Sequence, residues 1–333
     1  MNTTANTTAQ TAATEKPLRF LDAIAQAQIE ELERDSNVIL MGEDIALYGG
    51  GKVMERFGPD RIWSTPISET GFTGMAVGAA MVGVRPIVDL TIASFMYLAS
   101  DPIINQAGKL HYMTGGRINI PVVFRCSMFH NSSIAAQHSD RPYPLFMNAP
   151  GLKILAPSCP SDMKGLLKSA VRDDDPVMIF EDNSLWTSKE NVSTDPDFLV
   201  PIGKAAIKKA GSDVTILAIS SCQLPALAAA ASLEQEGIHA EVIDPRTLVP
   251  FDKETLLQSV AKTGRLVVVD NANRTCSAAA EIAAIVAEEG FGYLKKPIIR
   301  LTTPDVHIPF NKAMEKPLYP NEASIIAAVK QLL

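Results

Sequence analysis

The run Val38-Ile39-Leu40-Met41, halted at Gly42 and followed by Glu43-Asp44, decides how the rest of the chain is read. Four consecutive apolar residues stopped by a glycine describe a strand buried on both faces and ending in a loop. Upstream, Leu21, Ile24, Ala25, Ile29 and Leu32 fall at helical spacing, with Glu30, Glu31, Glu33 and Arg34 mostly on the other face. A helix therefore leads into the strand. Downstream the alternation repeats. Phe72 to Val82 reads as an apolar, Gly/Ala-rich helix, Pro86 to Ile92 as a strand, and Ser94 to about Tyr112 as a helix. Strands follow at 122–124, 153–156 and 176–181. Between the last two, Ser161 caps a helix running to about Arg172, with Asp162 in its first turn.

Residues 184–203 are polar and Pro-containing, as a linker is. Strands resume at 214–219, 240–243, 266–270 and 298–301. Helices are expected at about 223–236, 253–262, 277–289 and 322–332. Strand–helix alternation with apolar strands implies an α/β protein of two sandwich domains with mainly parallel sheets, helices covering both faces. The expected division is a disordered tail at 1–16, a first domain at 17–188, a linker at 189–203 and a second domain at 204–333. The tail is Thr/Ala/Asn-rich, without the apolar core of a signal peptide or the arginines of a transit peptide.

Composition narrows the class of function. A chain of 333 residues is too long for one hydrophobic core. Apolar residues at 47% and charged residues at 20% are ordinary for a globular protein. Thirty Lys+Arg against thirty-seven Asp+Glu, a net charge of −7, argues against a general nucleic-acid binder. No run reaches the ~18 apolar residues of a membrane-spanning helix. Cys126, Cys159, Cys222 and Cys276 form no CxxC pair, so reduced thiols in a cytoplasmic protein are expected.

The sequence lacks GxGxxG after its first strand, and it lacks GxxxxGK[ST], HExxH and GxSxG. The run Gly49-Gly50-Gly51-Lys52 reads as a mobile turn rather than a phosphate cradle. Its five histidines make no metal-ligand spacing with a cysteine. Chemistry must then come from single loop residues at strand ends, where open α/β sheets place their sites.

Four loop segments stand out: Gly42-Glu43-Asp44; Thr65-Pro66-Ile67-Ser68-Glu69-Thr70-Gly71-Phe72; Ala135-Ala136-Gln137-His138-Ser139; and Pro150-Gly151-Leu152-Lys153. In this order and spacing, with Val242 to Asp252 in the second half, the chain resembles the β-subunits of thiamine-diphosphate-dependent 2-oxoacid dehydrogenases, a group that includes pyruvate, branched-chain 2-oxoacid and acetoin dehydrogenase first components. The resemblance implies a transketolase-like pyrimidine-binding domain followed by a transketolase C-terminal domain.

The same resemblance implies roles for individual residues. Glu69 would hydrogen-bond a ring nitrogen of the aminopyrimidine and promote the tautomer that activates the thiazolium; alone it reads as an acid complementing a helix N-terminus. His138 would face the thiazolium and manage protons during acyl transfer, where its near-neutral pKa suits it; alone it is a hydrogen-bonded loop histidine. Phe95 would pack on the aminopyrimidine, or be plain core. Glu43 would be a second active-site acid, or a solvated loop charge. In several relatives a potassium ion sits at the turn matching Ala170 to Pro176, which suggests a site at Val122, Ala170, Asp173 and Asp175.

The Gly-Asp-Gly…Asn motif that binds Mg²⁺ and diphosphate in such enzymes is missing. The resemblance therefore implies an α-subunit carrying it, two copies of each chain, and a lipoyl acyltransferase that receives the acyl group. Two segments depart from the pattern, Cys126 to Ser133 and Asp140 to Ala149. Both flank His138, and Met128, Phe129 and Tyr143, with polar His130, Asp140 and Asn148, are expected to reshape a substrate channel or to accommodate a different partner. The leading expectation is oxidative decarboxylation of a 2-oxoacid, or cleavage of an acetoin-like hydroxyketone. The alternatives are a non-catalytic assembly subunit of the same fold and an NAD-dependent dehydrogenase, the latter disfavoured by the missing glycine fingerprint.

Overall fold

The computed structural model describes residues 14–46 and 50–333; Gly49 of the glycine run and residues 1–13 of the expected tail lie outside them. The first half contributes strands β1 (Glu15–Arg19), β2 (Val38–Gly42), β3 (Ile62–Ser64), β4 (Arg85–Ile92), β5 (Val123–Met128), β6 (Lys153–Leu155), β7 (Val177–Asp182) and β8 (Lys189–Ser193). Its helices are α1 (Phe20–Arg34), α2 (Gly51–Phe57), α3 (Glu69–Met81), α4 (Gly108–Met113), α5 (Tyr143–Met147) and α6 (Pro160–Arg172). The second half adds β9 (Ala206–Lys209), β10 (Val214–Ala218), β11 (Ala240–Asp244), β12 (Thr247–Val249), β13 (Leu266–Asn273) and β14 (Ile299–Thr303). With them come α7 (Gln223–Gln235), α8 (Lys253–Thr263), α9 (Ala278–Glu289), α10 (Lys312–Glu315) and α11 (Glu322–Leu332).

Every residue of β2, β5, β7, β10 and β11 is buried, as parallel strands covered on both faces require. The larger sheet runs β12-β6-β7-β5-β4-β2-β3, parallel except for β12. The smaller runs β14-β13-β10-β11-β9, parallel except for β9. Helices α1 and α6 cover one face of the larger sheet through Ile24, Ala27, Leu32, Leu166 and Leu167. Helix α3 covers the other face through Phe72, Ala76, Val77 and Ala80.

The structure departs from the sequence expectations in several places. Strands β3, β9 and β12 and helices α2, α5 and α10 were not expected, and α2 begins at Gly51, inside the run read as a turn. Residues 15 and 16 of the expected tail belong to β1. Residues 189–193 of the expected linker form β8, its antiparallel partner; with Val192 alone of its side chains apolar, β8 has too few apolar residues to be read from composition. The helix expected over 94–112 is broken into a 3₁₀ turn (Ala93–Tyr97), a wide π turn (Asp101–Ala107) and α4. There Ser100 Oγ bonds back to the Met96 and Tyr97 carbonyls, and Pro102 lacks an amide donor. Finally, Ser161 does not cap α6. The cap position is Cys159, and the Ser161 amide donates to Glu190 of β8 at 2.5 Å.

Strand β12 leaves the second half and pairs with β6, completing the first sheet. The apolar cluster beneath it is shared: Phe124, Ile154 and Phe180 pack with Leu217, Leu248, Ala272 and Ile282.

Candidate active site

In the order β5-β4-β2-β3, four adjacent parallel strands end at one edge of the larger sheet. The chain runs from β2 out to β3, then returns to β4 on the other side of β2. Such a reversal opens a crevice at the carboxyl ends of the strands. Glu43 follows β2, Glu69 follows β3, Phe95 follows β4 and His138 lies in the loop after β5. Four residues far apart in sequence thus come from neighbouring strand ends.

Glu43 is buried because Gly42 lets β2 lie against β4: a Cβ there would stand 2.3 Å from the Asp89 carbonyl oxygen. One carboxyl oxygen of Glu43, Oε2, is buried without a hydrogen-bond partner. Burial pushes its pKa up to about 7, helped by the negative charges of Glu69, Asp44 and Asp89. Below that pH Glu43 is a neutral acid able to donate a proton. Beneath it, Arg125 of β5 holds Glu181 with two nitrogens, at 2.7 and 2.9 Å, and also bonds Asp89. The guanidinium stays charged, since its two anionic partners outweigh the cost of burial. Sequence reasoning missed this trio. The available signal was a charge within each of three mainly apolar strands, at Asp89, Arg125 and Glu181.

Glu69 occupies the first position of α3 and is 6% exposed. Ser68 precedes it as N-cap without a side-chain bond to the helix; its hydroxyl donates to the Pro66 carbonyl instead. The carboxylate therefore complements the open N-terminus. Thr70 ties this corner to the next loop by donating to the Leu98 carbonyl. Strand β4 shifts register against β5 between Asp89 and Ile92, with Thr91 at φ 54°. A bulge of this kind re-aims the following residues, and the 3₁₀ turn after it carries Phe95.

Phe95 meets His138 edge-to-face, ring centroids 5.6 Å apart. His138 ends a short 3₁₀ turn, Ala136–His138. Ser94 donates to the Gln137 carbonyl and Ser139 to the Ala135 carbonyl at 2.7 Å. The structure therefore brings Phe95 and His138 into contact and Glu43 into the electrostatic field of Glu69.

Most of the bulky residues in the segments flanking His138 are buried within the chain. Met128, Phe129 and Tyr143 are buried. Phe129 packs edge-on against Trp186, and Tyr143 donates to Asp270 of the second half. His130 lies 4.1 Å from the Tyr319 ring, its pKa pushed down to about 4 mainly by burial. Arg141 binds Asp182 at 2.6 Å and donates to the Phe129 carbonyl. Asn148 is exposed. Tyr143 and His130 thus reach the second half, Phe129 and Arg141 also bind within the first, and much of the polarity satisfies buried partners. Of the six, Asp140 lines a cavity of about 550 Å³ shared with Asn273, Asp305 and His307.

Val122, Ala170, Asp173 and Asp175 lie at the opposite, amino-terminal edge of β5 and β7, away from Glu69. Lys153 neutralises the Asp173 and Asp175 carboxylates, at 2.7 and 3.0 Å. Arg85 donates to the Val171 and Asp173 carbonyls. The Val122 carbonyl accepts from Val177, and that of Ala170 from Asp173. A monovalent cation here would meet backbone carbonyls with a spare lone pair, not carboxylates.

A buried acid with an unpartnered oxygen, a second buried acid beside it and an aromatic–imidazole pair fit an aminopyrimidine ring, which presents amino donors, ring nitrogens and an apolar face. For a divalent metal, no cluster of three His, Cys, Asp or Glu side chains stands ready among the described residues.

Comparison with known proteins matches residues 16–188 to the transketolase pyrimidine-binding domain and 203–325 to the transketolase C-terminal domain. The chain is 42% identical over 330 residues to the β-subunit of acetoin:2,6-dichlorophenolindophenol oxidoreductase of Bacillus subtilis, covering 94% of this chain and 96% of the relative. It is 41% identical to the mitochondrial pyruvate dehydrogenase E1 component subunit beta-1 of Arabidopsis thaliana, with 96% and 90% covered. The 2-oxoisovalerate dehydrogenase β-subunit of B. subtilis is 39% identical, with 95% and 98% covered. Among solved structures, a split-gene transketolase described as an inactive β4 tetramer superposes with a TM-score of 0.79 at 23% identity, over 97% of this chain and 99% of that one. It shares the fold.

Proposed function

This chain belongs to the family of β-subunits of thiamine-diphosphate-dependent 2-oxoacid and acetoin dehydrogenases, and from that premise we propose that it supplies the pyrimidine side of an active site completed by an α-subunit. When bound, the cofactor contributes a nucleophilic carbon that stabilises the negative charge left by decarboxylation or carbon–carbon cleavage. This chain's residues hold and tune it. Glu69 shares a proton with a pyrimidine nitrogen through its carboxyl, in a site poor in water. Glu43 stands beside it as a second acid that, with its pKa raised to about 7, holds a proton for part of the time near neutral pH. Phe95 packs on the ring and fixes the His138 imidazole, which exchanges protons with the reacting substrate.

The diphosphate and its Mg²⁺ are assigned to the α-subunit, with two copies of each chain, and the acyl product to a lipoyl acyltransferase. The substrate is a pyruvate-like 2-oxoacid or an acetoin-like hydroxyketone. A potassium ion at the carbonyls of Val122, Ala170 and Asp173 is a structural part of the proposal, and the cytoplasm is its proposed location. The observation that carries the reading is the buried, unpartnered Glu43 carboxyl beside Glu69. A pure scaffold would have no use for two crowded buried acids.

Co-expression with the α-subunit tests it. In the complex, Glu69→Gln should leave assembly intact, weaken thiamine-diphosphate binding in calorimetry and slow exchange of the thiazolium proton for deuterium by at least tenfold. Exchange at the wild-type rate would reduce Glu69 to a helix-end charge.

A further inference from the structure

The loop that carries His138 adopts a costly backbone. Asn131, Ser133 and Ala135 have φ of 52°, 55° and 62°, three left-handed non-glycine residues within five positions. Side chains with a Cβ avoid this region, so such a loop persists only where its surroundings over-determine it.

The near end is held from within the first half. Asn183 accepts from the His130 amide at 2.8 Å and donates to Ser132 Oγ at 2.7 Å. The far end is held by Ser94 on the Gln137 carbonyl. The middle is held from the second half. Glu315, the last residue of α10, is fully buried, and its Oε2 accepts the Ser133 amide at 3.0 Å. Its Oε1 lies 3.5 Å from the Tyr319 hydroxyl, on the ring that stacks with His130. A buried carboxylate accepting a backbone N–H makes a charge-assisted bond, here aimed at the central left-handed residue.

We infer that Glu315 is a positioning residue for the reaction: from the second domain it locks the strained loop and thereby sets where the His138 imidazole stands. The inference rests on His138 acting at the cofactor, as proposed above. It gives the C-terminal domain a part in the chemistry through one hydrogen bond, without contact with substrate. A shift of His138 by about an ångström is enough to cost up to ~10²-fold in turnover.

The test uses the assembled α/β enzyme with its cofactor. Glu315→Met keeps length and volume but has no acceptor; Glu315→Gln keeps an acceptor oxygen. The Met variant should lower kcat by at least tenfold with substrate KM within threefold, and should speed amide hydrogen exchange across 129–139. Gln should stay within threefold of wild type on both readouts. Adding Ser133→Gly and Ala135→Gly to Glu315→Met should recover much of the lost kcat, because glycine occupies the left-handed region without a steric penalty. A purely structural role would lower the melting temperature and show no such rescue. Unchanged kcat and exchange in the Met variant, or loss without rescue, overturns the inference. If Glu315→Met fails to assemble, a tenfold loss in the assembled Gln variant does so. His138→Ala with undiminished kcat would instead overturn the functional reading itself, which keeps the two failures apart.

Discussion

Glu43 shows how one buried carboxyl couples the site to stability. Its pKa is raised to about 7 by burial and by Glu69, Asp44 and Asp89. Between the ordinary glutamate value and about 7 the folded chain keeps a proton that the unfolded chain has released, so stability falls as pH rises through that window. Glu43→Gln removes this dependence. We expect the variant to match wild type near pH 4 and to become progressively more stable than wild type toward pH 8, by on the order of 1–2 kcal/mol once solvent screening is counted. Urea melts of the chain across that range measure it, and a pH-independent difference would contradict the assignment. The places of Glu69 and His138 between apolar elements were legible, because the strands and helices on either side can be read from the sequence. Glu315 was not, since its target is the backbone amide of Ser133, 182 positions away, and backbone amides leave no trace in a sequence. Arg125, Asp89 and Glu181 were legible in principle as charges within apolar strands.

At the scale of elements, apolar runs and helical spacing were enough to reveal most strands and helices. What escaped was the polar, the short and the irregular. β1 and β8 escaped because they carry few apolar side chains, and the break after β4 because it arises from Ser100 back-bonding and Pro102. The junction of β2 and β4 carries a sharp prediction. Gly42→Ala would press a methyl against the Asp89 carbonyl at 2.3 Å, backbone against which nothing can rotate away. The two strand ends must separate, at a cost of about 1–3 kcal/mol. Because Glu43 and Asp89 sit at that junction, cofactor affinity in the assembled enzyme should fall as well. A denaturation midpoint equal to wild type would show that the strands already stand apart.

For the whole molecule, the parallel α/β class and two sheets were readable from alternation alone, but the seam between them was not. The segments 126–133 and 140–149 looked like pocket walls because they are bulky and polar. Much of them lies against the second half instead, with Tyr143 on Asp270 and both His130 and Arg141 against the Tyr319 ring. Whether a polar residue faces solvent, a ligand or another half of its own chain depends on a partner distant in sequence. Tyr143→Phe should destabilise by about 1–2 kcal/mol, since Asp270 keeps only the Ala272 and Ala279 amides. With an apolar cluster common to both halves, calorimetry should show a single transition moved down; two separate transitions would refute that coupling. The returning strand β12 also bears on how the protein is made. During synthesis the first sheet emerges with the edge of β6 bare, and its cover, Thr247–Val249, leaves the ribosome only after β9, β10, α7 and β11 of the second half. Until then the nascent chain displays an unpaired strand edge, the kind of surface that recruits other chains. A fragment ending at residue 203 should therefore self-associate, whereas one extended through residue 252 should do so less, and light scattering of the two fragments would tell them apart.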